Sequence, residues 1–381
     1  MASSTEPRGV PAEGGDERAA EIERRKSDHL SLAAGEGVET TARAGWGDVH
    51  LVHDALPRVD ADDVDLSVDL LGRRLALPLV ITGMTGGHQK AHEVNRVLAS
   101  AAERNGLAFG VGSQRAALRD PALVPTYAVA REAAPTAFLI GNIGISQLID
   151  QPGEAGLGEA DLALVVEMVR ADALAVHLNY LEEMVQPEGQ TRARGAEDAL
   201  ASLARGCRVP IIAKETGAGI GRATAERLAA LGVRAIDVGG VGGTSFATIE
   251  SRRARERGDE TRAALGERFV DWGLPTAVAV AGAVSTGLPV IATGGVRGGL
   301  DAAVALALGA TAVGVGRPLL QAALRGERYV QDWIARFESE LRAATFLAGV
   351  ARVADLRSAP RVVLGDTREW LAQLGYPTTP A

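Results

Sequence analysis

Eight short aliphatic runs, separated by stretches of helical period, constrain the fold of this chain more than any other feature. The runs occupy residues 77–82, 107–111, 137–141, 173–178, 210–213, 235–238, 289–292 and 312–315. Nearly all lack alternation of polar and apolar residues, the pattern of strands buried on both faces. Between them, residues 91–104, 160–170, 222–231 and 300–308 are rich in Ala, Leu, Glu and Arg at helical spacing. Alternating strands and helices predict an α/β fold, and eight repeats predict closure into a (β/α)8 TIM barrel. An open doubly wound sheet is the alternative; the count of eight and the residues that follow each run favour the barrel.

Those following residues are polar or glycine-rich almost without exception. In order they read GMTGG (83–87), GSQR (112–115), NIG (142–144), HLNYLEE (177–183), KETGAG (214–219), GGVGGTS (239–245), TGGVRGG (293–299) and GRP (316–318). In a barrel they converge on the C-terminal face, where the active sites of this fold are built. The glycines after runs seven and eight suit a phosphate, because backbone N–H groups and a helix N-terminus approach an anion closely there. Arg297 and Arg317 add charge to that region or lie on the surface. Lys214 ends the fifth run inside the mouth. A buried ammonium needs an anionic or strongly polar partner, which a flavin ring or a neighbouring acid would supply. Ser113, Asn142 and Thr244 stand at strand ends, where small polar side chains bond a polar ring edge or cap the next helix.

The remaining features set bounds. A chain of 381 residues that is 46% hydrophobic can bury a large core. A formal charge of −8 gives no sign of non-specific nucleic-acid binding. One cysteine, Cys207, excludes an intrachain disulfide framework and fits a reducing compartment. No apolar run reaches the ~20 residues of a membrane span. Residues 1–22 read as a disordered extension, 23–381 as a single domain, and the protein as cytoplasmic. Residues 248–269 are charged and too long for a simple loop; they read as a lid or as a solvated helical excursion. Beyond residue 359 a terminal helix is expected.

The ordered combination of Arg25-Lys26-Ser27-Asp28-His29, GDVHLVHDALP (47–57), MTGG (84–87), GSQR, HLNYLEEMVQPEG (177–189), GGTS (242–245) and TGGVRGGLD (293–301) resembles the type 2 isopentenyl-diphosphate isomerase family, from about residue 23 to about residue 350. The resemblance implies FMN, magnesium and a prenyl diphosphate substrate. It implies a flavin reduced by NADPH and a reaction without net redox change. Acid–base chemistry of the reduced flavin protonates the isopentenyl double bond, and loss of a C2 proton gives the dimethylallyl isomer. Motif by motif, it assigns FMN to Gly83, Met84, Thr85, Ser113, Asn142, Lys214, Thr244, Gly295, Arg297, Gly316 and Arg317. It assigns the diphosphate to Arg25, Lys26, Gln114 and Arg115, and the metal to Glu183. His177 and Asn179 alternate along the end of the fourth strand, so both can face the pocket. The family also forms tetramers or octamers, which implies a homo-oligomer.

Two departures stand out. The family pattern HLNxxQE has a glutamine near the reacting carbons, where this chain has Glu182. That removes two N–H donors and adds a carboxylate beside Glu183. Glu182 is then a general acid, a second metal contact, or a side chain turned away; it is carried forward as a catalytic and substrate-binding candidate with His177 and Asn179. The pattern also usually continues PEGD, whereas Gln190 follows Pro187-Glu188-Gly189 here. A relative acting on a longer prenyl diphosphate, or a non-catalytic flavin or prenyl-phosphate binder, are the alternatives. A 2-hydroxy-acid oxidase would need a histidine near strand seven, and none occurs beyond His177. An inosine-monophosphate-dehydrogenase-like enzyme would need a cysteine in the loop after strand six, which reads GGVGGTS.

Overall fold

A computed structural model describes Leu32 and residues 35–379. The expected extension at 1–22, together with Arg25 and Lys26, lies outside the described residues. Eight parallel strands close a barrel: β1 (Leu79–Ile81), β2 (Ala108–Gly110), β3 (Phe138–Gly144), β4 (Ala173–Leu178), β5 (Ile211–Glu215), β6 (Ala235–Asp237), β7 (Val290–Thr293) and β8 (Ala312–Val315). Each falls on one of the eight aliphatic runs. The ring shuts where Val313 pairs with Leu79 and Val315 with Ile81. Leu79, Ile81, Leu139, Ala213, Ile236 and Val313 are essentially solvent-free, as strands covered by helices outside and side chains inside must be. Burying each aliphatic side chain of this size contributes about 1.5–3 kcal/mol.

Three strands run past their aliphatic stretch, β7 by the single residue Thr293 and β3 and β5 by two or more, and the two longer extensions serve the mouth. β3 continues to Gly144 because it pairs with β4 from Ile140 to Gly144, so Asn142 is a strand residue rather than a loop residue. β5 continues to Glu215, whose buried carboxylate accepts the N–H groups of Gly217, Ala218 and Gly219 at 2.6, 2.5 and 2.9 Å.

The outer helices follow from amphipathic spacing. In Gln89–Asn105, Ala91, Val94, Leu98 and Ala101 recur every three or four residues and are buried, giving one apolar stripe toward the barrel. The helix stops at Gly106, in the left-handed region at φ 62°. No described helix is long and apolar enough to cross a membrane.

Two expectations are corrected by packing. Residues 248–269 form neither a loose lid nor a solvated excursion. They belong to two helices, Phe246–Glu256 and Glu260–Arg268, capped by Ser245 on Thr248 N–H and by Asp259 on Arg262 N–H. The pair buries Ile249, Ala254 and Ala263, and also Glu250 and Arg253. The tail does hold a helix, Gly365–Leu374, but a strand precedes it: Arg361–Val363 pairs antiparallel with Val49–Leu51. Cys207 is partly buried at the edge of the core.

Candidate active site

The C-terminal ends of the strands surround a cavity of two connected lobes, enclosing about 950 and 830 Å3 of space that includes open solvent. Gly83, Met84, Lys214, Thr216 and Phe246 line both lobes and form the partition between them.

The first lobe lies over β5–β8 and β1. Gly83, Met84, Lys214, Thr244, Gly295, Arg297, Gly316 and Arg317 all line it, eight of the eleven residues assigned to FMN by resemblance. Its floor is made by close backbone approach. Gly295 has φ +65°, and a Cβ there would lie 2.5 Å from the Gly242 carbonyl oxygen, so only glycine lets the two loops meet. The helix Arg317–Arg325 begins at the lobe with a proline in its first turn, which suits a helix start. Arg297 and Arg317 both reach Glu39 Oε1 at 2.6 Å. Glu39 bridges in turn to Thr244, so the guanidiniums are already gathered around one carboxylate. A planar, partly apolar ring with a phosphate tail matches this lining: Met84, Val296, Pro318 and Leu320 on one hand, glycines and arginines on the other.

Lys214 has a neighbouring acid, one of the two partners its sequence position allows. Its Nζ donates to the Glu215 carbonyl at 2.8 Å and lies 3.8 Å from Asp237 Oδ2, while the side chain lines both lobes. Burial pushes the Asp237 carboxyl above the usual carboxylate range, with Lys214 opposing. The same desolvation raises Glu215.

The second lobe lies over β2–β4 and gathers Thr85, Ser113, Arg115, Asn142, His177, Asn179, Glu182 and Glu183. Three of the residues assigned to FMN, Thr85, Ser113 and Asn142, therefore face this lobe rather than the glycine-rich one. Asn142 is fixed at both ends. Its Nδ2 donates to the Val111 carbonyl at 3.0 Å, which turns Oδ1 toward His177 Nδ1 at 2.8 Å. Because that oxygen only accepts, Nδ1 of His177 carries the proton.

Asn179 Nδ2 donates to Glu182 Oε2 and to Glu183 Oε1, each at 3.1 Å. Two carboxylates settle the orientation of the amide, since its oxygen would be repelled there. The other oxygen, Asn179 Oδ1, is buried with no hydrogen-bond partner among the described residues, and so is Gln186 Nε2. Both residues line the second lobe, so an acceptor and a donor remain for a polar molecule. Glu183 is 5% exposed, and its second oxygen accepts from the Gln190 N–H at 2.6 Å.

Among the described residues no group of three or more His, Cys, Asp or Glu side chains is arranged to hold a metal. A magnesium ion commonly takes one or two carboxylates and completes its shell with water and substrate phosphate. Glu183, with Glu182 beside it, fits that type of site and not a closed protein cage.

Gln114 does not join the cavity. It is fully buried, donating from Nε2 to the Val165 carbonyl at 2.8 Å and accepting from the Asn142 N–H at 2.9 Å. It ties β3 to the outer helix Glu159–Met168. Arg115, its neighbour, lines the second lobe at 7% exposure and pairs with Glu154 at 2.5 Å. Phe246, Thr216, Gln147 and Gln186 line the cavity without having been singled out from sequence. Phe246 directly follows GGTS, and Gln186 sits in the VQPEG stretch, so a reading of motif flanks would have found both.

A family model described as FMN-dependent dehydrogenase matches residues 136–362. The isopentenyl-diphosphate delta-isomerase of Methanothermobacter thermautotrophicus is 46% identical over 358 residues, 94% of this chain and 98% of that protein. The chain belongs to the isopentenyl-diphosphate delta-isomerase family. A second member, from Thermococcus kodakarensis, is 47% identical over 92% of this chain and 93% of its own length. Among solved structures, mandelate oxidase with benzoyl-formic acid superposes with a TM-score of 0.56 at 20% identity, covering 91% of this chain and 98% of that one. A mandelate oxidase variant with a monooxide FMN adduct gives 0.57 at 19% identity, over 92% and 99%. At that identity the likeness to the oxidases is one of fold. This isomerase family member has no histidine beyond His177.

Proposed function

We propose that the chain converts isopentenyl diphosphate to dimethylallyl diphosphate, with FMN in the first lobe and the prenyl diphosphate in the second. Membership of the isomerase family over nine-tenths of the chain carries this reading. Reduced FMN, when bound, supplies acid–base chemistry for moving a proton on the C5 skeleton. The rest is done by the chain's own groups. Gly295, Gly316, Arg297 and Arg317 hold the cofactor phosphate, Met84 and Phe246 flank the ring, and Lys214 and Thr244 bond its polar edge. Arg115 binds the diphosphate, with Arg25 and Lys26 joining from outside the described residues. Glu183 would hold magnesium, which would offset the charge of the diphosphate, and NADPH would serve as the flavin reductant. His177 and Asn179 orient the substrate, and Glu182 lies beside its carbons. Gln114 keeps a positioning role through Asn142. We further read the protein as a cytoplasmic homo-oligomer, a tetramer or octamer, by family resemblance and from its single cysteine.

The test is anaerobic incubation of the purified protein with FMN, NADPH, Mg2+ and isopentenyl diphosphate, with products followed by NMR. Dimethylallyl diphosphate is expected to accumulate. In Glu183→Ala the Mg2+ requirement should rise by on the order of 100-fold, with the bound-flavin absorbance unchanged. A chain that holds reduced FMN yet leaves isopentenyl diphosphate unconverted would sink the reading and direct the search to longer prenyl diphosphates.

A further inference from the structure

Arg115 and Glu183 stand on separate short helices, Arg115–Arg119 after β2 and Tyr180–Val185 after β4, yet one short polar chain joins them. Glu183 Oε2 accepts from the Gln190 N–H at 2.6 Å, and Gln190 Nε2 donates to Glu154 Oε2 at 2.7 Å. The same Glu154 oxygen accepts from Arg115 Nη2 at 2.5 Å, while its other oxygen pairs with Arg119. Gln190 Oε1 accepts from Ser146 Oγ at 3.3 Å, which leaves its N–H2 end for Glu154. Gln190, Arg115 and Glu183 are each less than 9% exposed. Charge-assisted hydrogen bonds in so dry a place are strong and geometrically strict.

We propose that Gln190 and Glu154 are positioning residues that set the spacing between Arg115 and Glu183. The inference rests on the reading above, in which those two residues meet the diphosphate and its metal. Charge explains the choice of side chains. The Arg115 and Arg119 guanidiniums offset two of the carboxylates around the lobe, Glu154 and Glu183, while Lys214 stands across the lobe from the third, Glu182. Gln190 adds a donor and no charge. A glutamate at 190 would have the length to set its carboxylate against Glu154, whereas the aspartate usual in the family pattern is one carbon shorter. Loop geometry adds to this. A Cβ on Gly189 would lie 1.7 Å from the Glu183 carbonyl oxygen, so the turn that brings Gln190 back to Glu183 closes only with glycine at that position.

The experiment measures binding of inorganic pyrophosphate, with and without Mg2+, by calorimetry on the FMN-loaded protein. Gln190→Glu is expected to weaken pyrophosphate binding at least ten-fold at pH 8, where both facing carboxylates are charged. Gln190→Glu combined with Glu154→Gln reverses the amide and the carboxylate across the same bond and should recover binding to within about five-fold. Glu154→Gln alone sets an amide N–H against a guanidinium and should weaken binding about three-fold or more, with the flavin spectrum unchanged. Unaltered binding in Gln190→Glu, or tighter binding in Glu154→Gln, would overturn the proposal; the latter would mean that Glu154 competes with the diphosphate for Arg115. A parent protein that binds no pyrophosphate would instead remove the functional reading on which the proposal stands.

Discussion

Glu182 and Glu183 are adjacent in sequence and share the Asn179 amide, but their surroundings differ. Glu183 is buried and held on both oxygens, whereas Glu182 is half-buried beside the cavity. An amide in place of Glu182 keeps its size and a polar end but cannot pass a proton, and proton transfer by a side chain is worth roughly 10²–10⁴ in rate. Glu182→Gln is expected to turn over isopentenyl diphosphate within about ten-fold of the parent, since the proposed function gives the moving proton to reduced FMN and not to this side chain. A loss of ~100-fold or more in kcat would make Glu182 the proton carrier. At this scale the motifs were legible as groups and not as individuals. Gln114 and Arg115 stand together in GSQR, yet one braces β3 and the other faces the cavity. Consecutive residues leaving a strand end point in different directions, and only the packing beneath them decides which is used.

Between elements, the helical pair after β6 carries the clearest case of hidden order. The stretch SRRARERGDETR reads as a solvated basic face. In the fold, Arg253 is 1% exposed and reaches Glu250 at 2.5 Å and Glu188 at 2.9 Å. Glu188 belongs to the loop after β4, so this buried cluster ties the helical pair to the loop that holds Glu183. Removing one partner strands the other charges in the interior, at a cost of about 3–5 kcal/mol. Arg253→Met should lose that much in urea unfolding, and Glu250→Gln combined with Arg253→Met should lose less than the sum of the two single changes. A simple sum would mean that the two side chains do not interact. Nothing in the local sequence marks Arg253 among its neighbouring arginines, because its partner Glu188 lies 65 positions away.

At the level of the whole molecule, an acidic chain is held by carboxylates of two kinds. Burial dominates at Asp237 and Glu215 and raises both. At Glu154 burial also pulls upward, but the Arg119 and Arg115 guanidiniums outweigh it and hold the carboxyl below the usual range. A carboxylate lowered in the folded state contributes stability that is complete above its unfolded pKa, ~4.3 for glutamate, and is lost as pH falls through the folded value. Glu154→Gln should therefore melt below the parent at pH 6–7, and the gap should close as pH drops under about 4. Melting temperatures across pH 3–7 check this, and a gap of constant size would rule out Glu154 as its source.

The sequence by itself determined the barrel, its eight strands and the face that carries the site, because strand burial and glycine placement are local necessities repeated eight times. It also brought the chain to its family, since ordered motifs survive as strings. Only the tertiary structure decided that the mouth has two lobes, that Gln114 is buried between β3 and an outer helix, that residues 248–269 are packed, and that Gln190 and Glu154 join Arg115 to Glu183. Each of these depends on side chains from distant loops meeting in a dry place, where hydrogen-bond geometry and charge balance choose the partners. Neither is written in the spacing of residues along one strand.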